Sequence, residues 1–322
     1  MSEITISRGM STGRVQLRGA MATGSFAVGG RIVDPFYTAP WDGFPEDPLL
    51  DKLRGDFLCV PFGITPSGDL PDGWNSPGPQ PGEVAHGHSS NADWEVAALT
   101  EESVMLTLAY PEDDPIERVT RIVTCLDDGL EFEGRIFARS AVDLPIGVHP
   151  TFRLPDRPYG ATLRLPAGAF LASPPVQSEP LARVLPGSVF DDPAAAPAID
   201  GAADVTELPW ANANEDLLLV ADVEDGRVEL LNHDEGYRVT LTWDHRVARH
   251  LMLWISNYGR DAAPWSGRNR ALGLEPITGA FDYGAAVSAA PNPLAARGAA
   301  TTVHIEPGQE VVLRHRVTVG RL

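Results

Sequence analysis

Four short segments set ionisable side chains inside otherwise apolar runs, where a proton-transferring group is shielded from water. They are Leu53-Arg-Gly-Asp-Phe-Leu-Cys-Val-Pro-Phe-Gly63, Ala85-His-Gly-His-Ser-Ser-Asn-Ala-Asp-Trp-Glu95, Gly147-Val-His-Pro-Thr-Phe-Arg-Leu154 and Ala271-Leu-Gly-Leu-Glu-Pro-Ile-Thr-Gly279. Glu275 follows Leu-Gly-Leu and precedes proline, so it is expected to be desolvated, with a pKa raised toward the range of a general base. His149 and His86 offer imidazoles near neutral pH. Taken singly, each reads more simply as structural: Glu275 as half of an ion pair at a strand end, each histidine as a satisfied core residue. His86 and His88 stand two apart, share a face if they lie on a strand, and have a spacing that suits a metal. No third ligand accompanies them, so no metal is expected.

The motifs that are absent narrow the chemistry. There is no Gly-x-Ser-x-Gly elbow, no glycine-rich phosphate loop leading into a helix, and no His-Glu-x-x-His pair. Hydrolase-elbow, kinase, nucleotide-dependent redox and zinc-protease chemistries lose their signatures, and no cofactor is called for.

The elements that must hold these groups read as strands. In Leu130-Glu-Phe-Glu-Gly-Arg-Ile-Phe-Ala138 the apolar positions 130, 132, 136 and 138 alternate with polar 131, 133 and 135, the period of a half-buried strand. Arg118-Val-Thr-Arg-Ile-Val-Thr-Cys125 precedes it, and Asp127-Asp-Gly129 between them predicts a hairpin turn. Arg227-Val-Glu-Leu-Leu231 and Arg238-Val-Thr-Leu-Thr-Trp243 flank a second turn at His233-Asp-Glu-Gly236, and Thr301-Thr-Val-His-Ile305 is expected to pair with Glu310-Val-Val-Leu-Arg-His-Arg-Val-Thr-Val319 across Pro307-Gly308. No long amphipathic helix is predicted, because Pro193, Pro197 and Gly201 break the one alanine-rich stretch; short helical turns fit residues 48–54. Residues 65–84, crowded with proline and glycine and carrying Trp74, and residues 257–269, with Arg260 and Trp265, read as long loops that frame a cleft. No linker divides the chain, which predicts a single domain over residues 1–322.

The 31 glycines and 29 prolines suit a chain of many tight turns, and the formal charge of −19 opposes nucleic-acid partners and anionic membrane surfaces. Cys59 and Cys125 each lie in an apolar run, so buried free thiols are expected rather than a disulfide framework. No signal-peptide core opens the chain, so cytoplasmic residence is expected by default.

Together and in this order, the motifs resemble the aldose 1-epimerase (galactose mutarotase) superfamily, near its hexose-6-phosphate mutarotase branch. His149-Pro-Thr-Phe-Arg-Leu154 is similar to the block whose histidine is the catalytic acid, and Leu274-Glu-Pro276 to the block whose glutamate is the base. His86-Gly87 resembles the dipeptide whose histidine binds the sugar near its ring oxygen. Arg54 resembles the substrate-binding arginine, and Asp216 sits where the family has a hydroxyl-holding aspartate. His88 and Trp265 are further substrate-binding candidates; Trp74, Trp94, Phe152 and Trp265 each fit an aromatic floor or ordinary packing. The resemblance implies an all-β fold, a large twisted antiparallel β-supersandwich, and an enzyme that interconverts the anomers of a small sugar by acid–base ring opening, as a monomer or weak homodimer. Ser90 stands where the phosphosugar branch carries an arginine, which favours a free aldose. The alternatives are a hexose-6-phosphate mutarotase and a non-catalytic carbohydrate-binding protein; a lyase or a hydrolase lacks a second assignable carboxylate.

Overall fold

The computed structural model describes residues 3–322, so Met1 and Ser2 of the N-terminal run lie outside the described residues. Two large antiparallel sheets dominate. The nine-stranded sheet runs in the spatial order Glu207–Leu208, Ala161–Arg164, Arg227–Asn232, Tyr237–Trp243, Glu310–Arg321, Gly129–Ala138, Ile116–Cys125, Ser103–Ala109, Glu95–Leu99. The eight-stranded sheet runs Val189–Phe190, Phe170–Ala172, Asn214–Ala221, His250–Asn257, Arg270–Thr278, Ile146–Val148, Leu58–Cys59, with Thr151–Arg153 also pairing Arg270–Thr278. Residues 3–33 form a separate four-stranded meander. Among the described residues the helices are short, the longest being Gly284–Ala289 with 6 residues, and none is long and apolar enough to cross a membrane.

The period-two pattern sets the layers. From Leu130 to Ala138 the even positions are buried and the odd ones half-exposed, so Leu130, Phe132 and Ile136 face Leu58, Leu253, Leu272 and Leu274 across one core. Each such side chain contributes about 1.5–3 kcal/mol by leaving water. The eight-stranded sheet is buried on both faces. Along Arg270–Thr278, Leu272 and Leu274 join that core while Ala271 and Ile277 join a second cluster on the opposite face. That second face carries the site.

Both predicted hairpins form with the expected partners, Ile116–Cys125 with Gly129–Ala138 and Arg227–Asn232 with Tyr237–Trp243. The C-terminal pairing differs. Val303–Ile305 pairs Val142–Leu144, because both edges of Glu310–Arg321 are taken by Gly129–Ala138 and Tyr237–Trp243. His86 and His88 do not share a strand face: His86 adopts a left-handed backbone (φ 58°) that starts the short helix Gly87–Asn91, so the two rings diverge.

Candidate active site

Over the second face of the eight-stranded sheet lies a cavity of about 230 Å³, lined by the ionisable groups Asp47, His86, His149, Arg260, Glu275 and Asp282. Glu275 is central in Arg270–Thr278, on the same side of the pleat as Gly273. A Cβ at Gly273 would lie 2.2 Å from Glu275 Oε1, so the glycine of Leu-Gly-Leu-Glu is what makes room for the carboxyl. Glu275 is fully buried and neither of its oxygens is hydrogen-bonded. Burial, with Asp282 adding like charge, holds its pKa well above the usual carboxylate range.

His149 faces it, Nε2 to Oε1 3.3 Å. Its backbone N–H donates to Phe57 O at 2.9 Å, and its ring stacks on Phe57 with centroids 4.5 Å apart and planes 17° apart. The Thr151 hydroxyl donates to the His149 carbonyl and lies 3.0 Å from Nδ1. Its oxygen is thereby left to accept from Nδ1–H, an arrangement that turns the Nε2 lone pair toward Glu275. Burial, then the neighbouring His86, holds the imidazole well below its ordinary pKa.

His86 completes the group, its ring 5.1 Å from that of His149 and nearly perpendicular. The Gly63 N–H donates to His86 Nδ1 at 3.3 Å, and the His86 N–H donates to Gly63 O at 2.9 Å. With Nδ1 accepting, the ring proton sits on Nε2. Burial lowers His86 to about 4, which keeps it a neutral donor at pH 7. Gly63 also admits the Asp282 backbone, whose carbonyl oxygen lies 2.3 Å from where a Cβ would stand. One glycine thus aligns two walls of the cavity.

Trp265 lines the cavity, 4.9 Å below the Arg260 guanidinium. Arg260 Nε lies 2.9 Å from Glu179 and 3.3 Å from Glu215. Glu215 in turn accepts from Trp254 Nε1 at 2.6 Å and Ser256 Oγ at 2.7 Å, which fixes the indole on the cavity wall. Burial raises the Glu215 pKa.

Of the seven residues singled out by sequence, His149, Glu275, His86 and Trp265 meet in this cavity. Arg54, His88 and Asp216 do not. Arg54 Nη1 lies 3.4 Å from Glu3 and its Nε donates to Lys52 O. His88 packs edge-on against Tyr110, ring centroids 5.0 Å apart. Asp216 accepts from the Arg183 and Val184 amides, each at 2.8 Å. In Asn214–Ala221 its neighbours at Leu218 and Val220 join the main core while Leu217 and Leu219 join the cavity-side cluster; the pleat therefore turns Glu215, not Asp216, toward the cavity. The cation at the cavity is Arg260, and Asp282 is an unanticipated carboxylate there. The run Leu217–Ala221 is uniformly apolar and carries no alternation that singles out Glu215 over Asp216, and for Arg260 there was only its place in a Trp-containing loop. Among the described residues no group of three or more His, Cys, Asp or Glu side chains is arranged to hold a metal ion.

No protein-family model matches the sequence, and no curated protein sequence matches it. Solved structures do. An Escherichia coli K12 protein put forward as an aldose 1-epimerase matches with a TM-score of 0.69 at 15% identity, over 99% of both chains. A GalM/aldose epimerase homologue from Caenorhabditis elegans matches with a TM-score of 0.67 at 16% identity, over 99% of both chains. A galactose mutarotase related enzyme from Lactobacillus acidophilus matches with a TM-score of 0.64 at 17% identity, over 98% of this chain and 97% of that one. The chain has the fold of the aldose 1-epimerase, galactose mutarotase-like superfamily.

Proposed function

We propose that the protein is an isomerase that interconverts the α and β anomers of a free aldose. The observation that carries this reading is the contact between His149 Nε2 and Glu275 Oε1, 3.3 Å apart in a cavity fit for one small ligand. Both groups are desolvated, so at rest the pair is neutral, carboxylic acid beside imidazole, holding one exchangeable proton. Moving that proton from Glu275 to Nε2 yields a carboxylate base and an imidazolium acid without changing the charge of the cavity.

The chemistry uses that proton and one from the substrate. The Glu275 carboxylate takes the proton of the O1 hydroxyl while His149 gives its Nε2 proton to the ring oxygen. The C1–O5 bond breaks, C1=O1 forms, and the pair returns to its neutral state. Rotation about C1–C2 presents the other face, and the reverse transfers close the ring. Each positioned group contributes about 10²–10⁴-fold. His86, with its Nε2 proton fixed by Gly63, serves as the neutral donor that orients the ring oxygen or its neighbour.

The charge around the cavity favours an uncharged sugar. Asp47 and Asp282 line it beside the neutral Glu275–His149 pair, and Glu179 and Glu215 sit against Arg260. Ser90 is buried, its hydroxyl donating to His86 O at 2.8 Å, so that position offers no cation. The presence of Arg260 favours a second reading, an aldose phosphate whose oxyanion would take the guanidinium from Glu179. Anomerisation measured by exchange NMR on free aldoses and aldose 6-phosphates separates the two. Acceleration of a free aldose, lost in Glu275→Gln, is the expected result; acceleration of the phosphates alone overturns the uncharged-sugar reading, and acceleration of neither overturns the enzyme reading for the sugars tested.

A further inference from the structure

A buried ionic cluster lies behind the cavity, between the two large sheets. Asp56 is fully buried; its Oδ1 accepts from Arg121 Nη2, and its Oδ2 accepts from His315 Nε2 at 2.7 Å. Arg121 belongs to Ile116–Cys125 and His315 to Glu310–Arg321, neighbours of Gly129–Ala138 on either side in the nine-stranded sheet. The His315 ring stacks on Phe132 between them, centroids 4.5 Å apart. The cluster is costly as a stabiliser: Arg121 Nε and Nη1 and His315 Nδ1 are buried without partners, and apolar side chains commonly replace such clusters with no loss of stability.

What the cluster does hold is the next residue. Asp56 and Phe57 point to opposite faces of one extended segment, because Leu58 and Val60 join the inter-sheet core while Phe57 and Cys59 join the cavity-side cluster. That segment runs antiparallel to the one carrying His149: the Thr151 N–H donates to Gly55 O and the His149 N–H to Phe57 O, both at 2.9 Å. Phe57 is the stacking partner of the His149 ring. Apolar packing lets one sheet slide on another by fractions of an ångström, whereas a carboxylate bridging two strands fixes a point. We propose that Asp56, Arg121 and His315 are positioning residues that register the site-bearing sheet on its neighbour and so hold the His149 imidazole, through Phe57, against Glu275.

The catalytic consequence rests on the anomer-interconverting reading above; the geometric one does not. In His315→Leu, Asp56 keeps Arg121 but loses its second anchor. The expected results are a fall in kcat of about ten- to a hundredfold with KM little changed, and movement of the assigned His149 Cε1–H NMR signal away from its Phe57-shielded position. His315→Gln restores a donor to Asp56 and is expected to recover both. A double-mutant cycle with Phe57→Leu distinguishes positioning from general loosening: once Phe57 is gone, His315→Leu is expected to cost no further kcat. Should His315→Leu not fold, the concerted replacement Asp56→Leu/Arg121→Met/His315→Leu leaves no unpaired charge and is read in the same way. A folded variant with an unmoved His149 signal, or losses that add fully to those of Phe57→Leu, overturns the proposal. If the wild type acts on no aldose, the NMR arm still decides it.

Discussion

Glu275 concentrates the conflict between stability and chemistry in a single side chain. Its folded pKa is raised above its unfolded value, so relative to the unfolded chain it carries no penalty below about pH 4.5 and a growing one as pH rises toward the folded pKa. Glu275→Gln removes that penalty. Melts at pH 5 and pH 8 are expected to show the variant gaining on wild type with pH, at up to about 1.4 kcal/mol per unit, while its kcat falls about 10²–10⁴-fold. An advantage over wild type no larger at pH 8 than at pH 5 counts against a buried carboxyl held in its neutral form. His86 runs the other way. Its folded value of about 4 lies below the unfolded one, so the native state loses stability as pH falls from about 6.5 toward 4, a slope that His86→Gln is expected to flatten. At Gly273 an added methyl meets the carboxyl itself, and Gly273→Ala is expected to lower kcat about ten- to a hundredfold with the fold intact. A wild-type kcat there means Glu275 acts from another rotamer.

At the scale of elements, the loop of residues 65–84 carries the next prediction. Its base is closed by Glu83, whose Oε1 accepts from the Thr65 N–H at 3.0 Å and the Thr65 hydroxyl at 2.9 Å. Its middle is held by Trp74, 5.8 Å from Tyr283 and 6.1 Å from Phe281, the residues flanking Asp282. Ile64 and Ala85, at its two ends, line the cavity. Trp74→Ala is expected to quicken amide hydrogen exchange at Thr65 and His86 and to raise KM more than it lowers kcat; unchanged exchange would show that the glutamate alone secures the loop. Strands, turns and this loop were legible because alternation and Asp-Gly turns are local properties. The partner of Val303–Ile305 was not, since it depends on which edges Glu310–Arg321 has left free. Nor did motif order place Asp216 or Arg54: a match fixes a residue along the chain, whereas the pleat and the left-handed Gly55 (φ 55°) decide where its side chain points. His149 and Glu275 were legible only as a set, because neither carries a signal by itself.

For the whole molecule, we propose that the chain folds as one unit. A single core cluster draws Ile4 and Val15 from the N-terminal meander, Leu272 and Leu274 from the site-bearing sheet and Val317 and Val319 from the last strand. Thermal unfolding followed by tryptophan fluorescence and by far-ultraviolet dichroism is expected to give coincident single transitions; two separated transitions would divide the meander from the sandwich.

The position of Glu310–Arg321 also sets a timetable for synthesis. It lies between Gly129–Ala138 and Tyr237–Trp243, and its ion pair from Arg316 to Glu131 joins residues 185 apart. A ribosome adding about 5–20 residues per second releases Gly129–Ala138 many seconds before the strand that will cover its open edge. During that interval Asp56 also waits for His315, 259 residues downstream. The nascent chain must carry an unsealed sheet edge and an incompletely bridged acid until Glu310–Arg321 has been made, the interval in which holdase chaperones have most to offer this protein.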